Sequence, residues 1–258
     1  IGGVGVHLNE EKLNNQGSLM RIVEYTDNRN IVVEFQDDYK IRVKTTYGNY
    51  KLGSVRNPYA PTVCGVGISG NKYPIVENGK PAKEYNMWRN IISRCYSKRV
   101  KNIQPAYTNV SCCDEWLLFD NFYEWLHSQP NFDKWCSESR WAIDKDILVK
   151  RNKVYSPDVC CLIPQNVNCL FLKREAERGK YPIGVTYRNE GFLASCHNPF
   201  TNKREELGYY STPEKAFSVY KVYKENLIKQ VARLEYDAGN ITEQCYQAMM
   251  NYIVEIDD

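Results

Sequence analysis

The chain reads as an α+β protein, and three observations carry that reading. Strand-length runs of alternating character fill residues 17–58 and 183–210, separated by Asn, Asp and Gly clusters. Helical spacing of apolar residues takes over near Tyr85 and again after Thr212. The segment from Trp141 to Phe171 gives strand, turn, strand and helix signals in quick succession. The expected layout is an N-terminal β-rich module, small and barrel-like, over 1–80, a helical domain ending in a ββα unit over 81–178, and a three-stranded sheet packed on a helix over 179–258.

With 258 residues the chain can bury a core without disulfide help. A hydrophobic share of 43% beside a charged share of 25% excludes wholesale disorder. No apolar run approaches the ~20 residues of a membrane helix, and no charged-then-apolar leader is read at the start, so no membrane partner is expected. Aromatics are plentiful, with 20 Tyr, 8 Phe and 5 Trp, a composition that serves nucleic-acid and protein surfaces as well as cores.

In the N-terminal part, Met20 to Tyr25, Ile31 to Phe35 and Ile41 to Lys44 read as strands of a small antiparallel barrel or curled sheet. Asp27-Asn28-Arg29-Asn30 and Gln36-Asp37-Asp38 supply the turns, and Tyr50 to Gly53 closes the module. Residues 59–80, punctuated by Gly65, Gly67, Gly70 and Gly79, read as a turn-rich connector or hairpin. Met87, Trp88, Ile91, Ile92, Cys95 and Tyr96 then form a helical stripe, with Arg89 and Arg94 off that face. A second helix is expected over Phe119–Ser128.

The net charge of +3 is unevenly spread. Residues 234–258 hold six acids and no Lys or Arg, whereas Asn86 to Lys101 hold five bases, Arg89, Arg94, Lys98, Arg99 and Lys101, and one side chain of opposite sign nowhere among them. Such a run is either a solvated helix face or a phosphate-facing surface, since clustered cations release counterions from a polyanion. The acidic end carries Tyr246, Met249, Met250, Tyr252, Ile253, Val254 and Ile256, too apolar for a free tail, so it is expected to pack back on the body near basic surface. Ten cysteines occur without a Cys-x-x-Cys, and two pairs are adjacent. Buried reduced thiols in an intracellular protein are expected, with a zinc site drawn from scattered Cys and His as the alternative.

From Trp141 the chain runs as a strand to Val149, a basic turn through Lys150, Arg151, Asn152 and Lys153, a second strand over Val159–Ile163, and a helix opened by Pro164. Asp144 and Asp146 share a strand face by the period of two and can hold one Mg²⁺ together, or stand as solvated carboxylates. This unit resembles the HNH nuclease family, in particular its phage-encoded members. The resemblance puts Asp144 at the first metal ligand, Pro157-Asp158 at the Pro-acid pair and Asn168 at the helix ligand. It implies a catalytic set of Asp144, Lys145 and Asn168, and Mg²⁺ (or Mn²⁺) held by Asp144, Asp146 and Asn168. Lys145 stands where the family has its general-base His, and a lysine must lose several pKa units before it can take a proton near neutral pH. Val159 stands in place of an Asn.

After the basic linker of Lys173, Arg174, Arg178, Gly179 and Lys180, three short strands are read at Ile183–Arg188, Phe192–His197 and Arg204–Tyr210. Ser211 or Thr212 caps the helix that follows, with Pro213 in its first turn. The stretch resembles the Apetala/ethylene-response-factor DNA-binding domain of plants, through Gly184-Val185, Phe192-Leu193-Ala194, Leu207-Gly208-Tyr209 and Thr212 to Ala216. The resemblance implies a sheet lying in the major groove. Arg188 keeps a family arginine, Phe192 stands for a tryptophan, His197 for a strand arginine, and Lys203 and Arg204 lie near the basic positions of the third strand. Packing alone for Phe192, and a solvated role for Arg188, Lys203 and Arg204, stay open beside it.

Together these readings give two expectations. One is a DNA-binding, phage-type protein with an HNH-like metal-dependent phosphodiesterase site, acting on double-stranded DNA in the host cytoplasm. The other is a non-catalytic binder of DNA or of a host defence complex.

Overall fold

Four short strands at the N-terminal end form a meander: β1 (Glu11–Leu13), β2 (Leu19–Asp27), β3 (Asn30–Phe35) and β4 (Arg42–Thr45), antiparallel in that order. The computed structural model describes residues 7–138, 140–172 and 180–258. The expected barrel does not close. The edge strands β1 and β4 are three and four residues long and do not pair with each other, so the sheet stays open. Met20, Ile22, Ile31, Val33 and Phe35 bury one face under Tyr50 and Val55. Tyr50 comes from a short helix, α1 (Tyr47–Leu52), within the stretch expected to close the module. Thr46 caps its start by accepting from Asn49 N–H, and Gly53 ends it at φ +68°.

Two small hairpins follow, β5 (Pro61–Val63) with β6 (Gly67–Ile68) and β7 (Val76–Glu77) with β8 (Lys80–Pro81). The second turns on Asn78-Gly79, both at positive φ, as a two-residue hairpin of this hand requires. Helix α2 (Lys83–Tyr96) buries Trp88, Ile91, Ile92 and Cys95 of the expected stripe together with Tyr85, leaving Met87 and Tyr96 half-buried, and α3 (Lys98–Ile103) follows after Ser97. Trp88 donates its indole N–H to Trp116 C=O at 2.7 Å, which satisfies a fully buried polar group. Strand β9 (Ser111–Cys112) and helix α4 (Phe119–His127) complete this part, with Phe119 edge-on to Tyr85.

Contacts divide the chain into two units, Ile1–Glu124 and Trp125–Asp258. The second begins with α5 (Phe132–Ser137) and then β10 (Trp141–Asp144). A tiny strand, β11 (Val154–Tyr155), interrupts the long connection to β12 (Cys161–Pro164), which pairs antiparallel with β10 from Trp141↔Pro164 to Asp144↔Cys161. Helix α6 (Gln165–Leu170) follows directly, so the ββα order holds while its first strand stops five residues short of Val149. Next come β13 (Val185–Arg188), β14 (Gly191–Asn198) and β15 (Lys203–Tyr210), one antiparallel sheet with a bulge after Ala194.

Helix α7 (Pro213–Asp237) covers that sheet. Thr212 caps it by accepting from Lys215 N–H, with Pro213 at the first position. No base sits in its last turn; Lys134 of α5 supplies the cation there, donating to Ala238 C=O. Helix α8 (Glu243–Met250) then packs Cys245 and Met249 inward. Ile147, Cys161, Ile163, Val167 and Leu170 of the ββα region share one core with Val185, Ala194, Cys196, Ala216 and Tyr220 of the sheet and α7. The buried amide of Asn131 ties the two parts, donating to Leu162 C=O and Asn240 C=O at 2.8 Å each. No described helix is long and apolar enough to cross a membrane.

Candidate nucleic-acid interface

The face a side chain takes on the three-stranded sheet follows from the buried residues. Ala194 and Cys196 of β14 lie in the core beneath α7, so by the period of two Leu193, Ser195 and His197 point the other way. Register carries the phase to the neighbours: Thr186↔Leu193 and Arg188↔Gly191 on one side, Tyr209↔Leu193, Glu206↔Ser195 and Arg204↔His197 on the other. The outer face therefore carries Arg188 at one end and the His197–Arg204 pair at the other, with Thr186, Glu206 and Tyr209 between them. Arg188 reaches to 3.9 Å of Glu206, with both side chains more than half exposed, a contact that holds neither strongly. Asn189 donates to Tyr209 Oη at 3.3 Å across the same face.

Two of the expected contact residues lie elsewhere. Phe192 shares the face of Ala194, packs against the core, and meets Tyr181 and Tyr187 edge-on at 5.3 and 5.2 Å. Lys203 pairs in register with Asn198, whose amide donates to Tyr223 Oη of α7, so it sits at the helix-facing edge. The linker bases Lys173, Arg174 and Arg178 lie outside the described residues.

In the ββα region, Asp144 ends β10 almost fully buried. Its Oδ1 accepts from the backbone N–H of Asp146 and of Ile147, both at 2.8 Å, which turns the chain out of the strand. Asp146 thus lies in a bend and not on the strand. Burial, with Asp146 beside it, pushes the Asp144 carboxyl up to about 6. Lys145 donates to Asp146 Oδ2 at 3.2 Å. Asn168 is half-buried on α6, and Asp158 is exposed in the turn before β12. Among the described residues no three His, Cys, Asp or Glu side chains cluster as metal ligands, and none of the ten cysteines is joined in a disulfide, six of them being buried.

Arg89 and Arg94 belong to the first unit. Five residues apart on α2, they are rotated about 140° from each other. Arg89 lies 5.8 Å over the ring of Tyr85 and Arg94 5.5 Å over Tyr107. The break at Ser97 separates them from Lys98, Arg99 and Lys101 on α3, so the base run makes no single stripe.

A cleft of about 590 Å³ lies in the second unit where the His197 end of the sheet meets α7 and the ββα region, lined among others by His197, Arg140, Trp141, Gln165, Lys224 and Glu235. Glu235 is held there by the amides of Asn166 and Asn240 at 2.8 and 2.7 Å. Burial lowers the Lys224 ammonium below its usual range. In the sequence Lys224 is one base among five on a long helix, and nothing local distinguishes it.

The acidic end packs back as expected. Val254 is buried; its N–H donates to Glu225 at 2.9 Å and its C=O accepts from Lys221 at 2.7 Å. Beyond it, Glu255, Asp257 and Asp258 close on the Lys150-Arg151 turn.

No family model and no solved structure matches the chain. Among curated proteins it is similar to the ethylene-responsive transcription factor ERF116 of Arabidopsis thaliana, 34% identical over 80 residues. That stretch covers 30% of this chain and 28% of the plant protein.

Proposed function

We propose that this protein binds double-stranded DNA through the outer face of its three-stranded sheet. The observation that carries the reading is that Arg188, His197 and Arg204 share one solvent face, spread along its length, while α7 covers the other. Similarity to a transcription factor supports it. Guanidinium groups held on a rigid sheet can meet phosphates or the acceptors of a guanine edge, and Tyr209 adds a flat amphipathic contact. With Glu206 in their midst the net positive field is modest, which fits a few phosphate contacts and not a large basic footprint.

The ββα region fits this binder better than a metal-dependent phosphodiesterase. The residues at the ligand positions do not fit a Mg²⁺ site as they stand: Oδ1 of Asp144 serves two backbone N–H groups, Asp146 is joined to Lys145, and Asn168 is neutral. We therefore derive no step through a metal and read the unit as a scaffold that shares its core with the sheet.

The test is duplex binding by fluorescence anisotropy across a salt series. Each phosphate contact removed should shallow the slope of log K against log salt by about one unit, so Arg188→Ala with Arg204→Ala should lose close to two. Unchanged affinity and slope in the double variant would take the sheet out of the interface.

A further inference from the structure

We infer that the Lys150-Arg151 turn is a second phosphate-binding site, which the chain's own C-terminal carboxylates occupy and keep closed. The inference rests on the DNA-binding reading above and names a contact surface outside the sheet.

The turn is built to present cations. Asn152 locks it, donating through its amide to Lys145 C=O and Val154 C=O at 2.6 Å each and accepting from Val154 N–H at 3.1 Å. Arg151 sits at φ +65°, a conformation that costs a non-glycine residue and persists only where surrounding structure holds it. This backbone leaves the Arg151 guanidinium half exposed, with Lys150 beside it.

Carboxylates fill most of the site, and Ile253 C=O also accepts from Lys150 at 2.7 Å. Arg151 donates to Glu255 Oε2 at 3.0 Å and to Asp257 Oδ2 at 2.7 Å. Lys150 donates to the same Glu255 oxygen at 2.8 Å and to Asp258 Oδ2 at 2.9 Å. A guanidinium beside an ammonium, bridged by oxygens from neighbouring groups, is the arrangement that also accepts the non-bridging oxygens of a phosphodiester. Three carboxylates on two cations leave the closed site net negative, so a strand of phosphates is repelled until the acids leave.

The acids are held in a way that permits leaving. Val254 anchors the segment by burial and backbone hydrogen bonds, whereas Ile253 and Ile256 are exposed and give no apolar grip. Glu255 and Asp257 are 47% and 65% exposed, and ion pairs so placed add little stability. Glu255 and Asp257 can therefore turn away from Arg151 while Val254 and the buried Asp258 hold the segment in place.

The experiment measures anisotropy of a labelled 20-base-pair duplex with the full chain, E255Q/D257N, R151Q on that background, and D133N/D237N, which makes the same change of net charge elsewhere. Asp258, buried and bonded to Glu255 N–H, is left intact. E255Q/D257N should bind about tenfold tighter at low salt with a slope steeper by about one unit, and R151Q should return both to the starting values. Equal affinity and slope in E255Q/D257N and the parent, or an equal gain in D133N/D237N, overturns the inference while parental binding upholds the DNA reading. Binding by none of the four overturns both.

Discussion

The ring of Tyr220 lies directly over the α-carbon of Gly184, so that a β-carbon at residue 184 would collide with three ring atoms. Gly184 also sits at φ +78°, where only glycine is comfortable. The close approach seats the start of β13 on α7, and Tyr220 is buried among Ala216 and Val185 as a result. Gly184→Ala therefore meets two costs, left-handed backbone strain and overpacking, together about 2–4 kcal/mol. Chemical denaturation should show the loss with an unchanged m-value, and a loss under 1 kcal/mol would mean the helix shifts freely off the sheet.

The turn between β13 and β14 makes the opposite prediction. Asn189 and Glu190 both have positive φ, at 51° and 60°, in a two-residue hairpin loop. Asn tolerates this; Glu does not. Glu190→Gly removes the strain and should stabilise the protein by about 1 kcal/mol, seen as a raised thermal midpoint. A fall in midpoint would show that Glu190 makes a contact worth more than its strain.

The contrast between these two positive-φ positions, Gly184 and Glu190, marks what was legible in the sequence. Thr212-Pro213-Glu214 announces the start of α7 because capping chemistry is local, and the stripe from Trp88 to Cys95 announces α2 because the helical period repeats. The phase of β14 was not legible. Phe192-Leu193-Ala194-Ser195-Cys196 offers apolar residues on both faces, and Leu193 and Ser195 are buried on the outer side as fully as Ala194 and Cys196 are on the inner. Only the seat of α7 decides that Phe192 turns inward.

The same holds at the end of β10. Ile147 and Leu148 extend the apolar pattern past Asp144, so a strand to Val149 is the natural reading. The chain instead leaves the sheet because Asp144 captures two backbone N–H groups, a choice made by side-chain geometry and invisible to periodicity. The tail was legible in part: Met249 and Val254 are buried, while Ile253 and Ile256 are exposed.

Asp144 carries a pH prediction. Folding raises its carboxyl from the ordinary Asp range to about 6, so between about pH 4 and 6 the native state holds a proton that the unfolded state has lost. Stability attributable to this group is greatest below about pH 4, falls as pH rises through the window, and levels above about 6; the total is on the order of 3 kcal/mol. Asp144→Asn keeps an oxygen to accept from Asp146 and Ile147 N–H and cannot ionise. The difference in unfolding free energy between variant and parent should therefore grow in favour of the variant from pH 4 to 6. A pH-independent difference would place the Asp144 carboxyl in its ordinary range.

The last prediction concerns cleavage. With Asp144 engaged by the backbone and Lys145 joined to Asp146, the ββα region lacks a group disposed both to bind a divalent cation and to leave a base free for water. Supercoiled plasmid incubated with the protein and Mg²⁺ or Mn²⁺ should stay unnicked, although the same preparation retards duplex DNA. Asp144→Ala should behave identically in the nicking assay, while costing stability by freeing two buried N–H groups. Nicking by the parent that disappears in Asp144→Ala would reverse this reading: Asp144 must then rotate away from the backbone when metal and DNA arrive together. Nicking that survives in Asp144→Ala would assign cleavage to a contaminant or to another part of the chain, and a mock purification from cells lacking the protein separates those two.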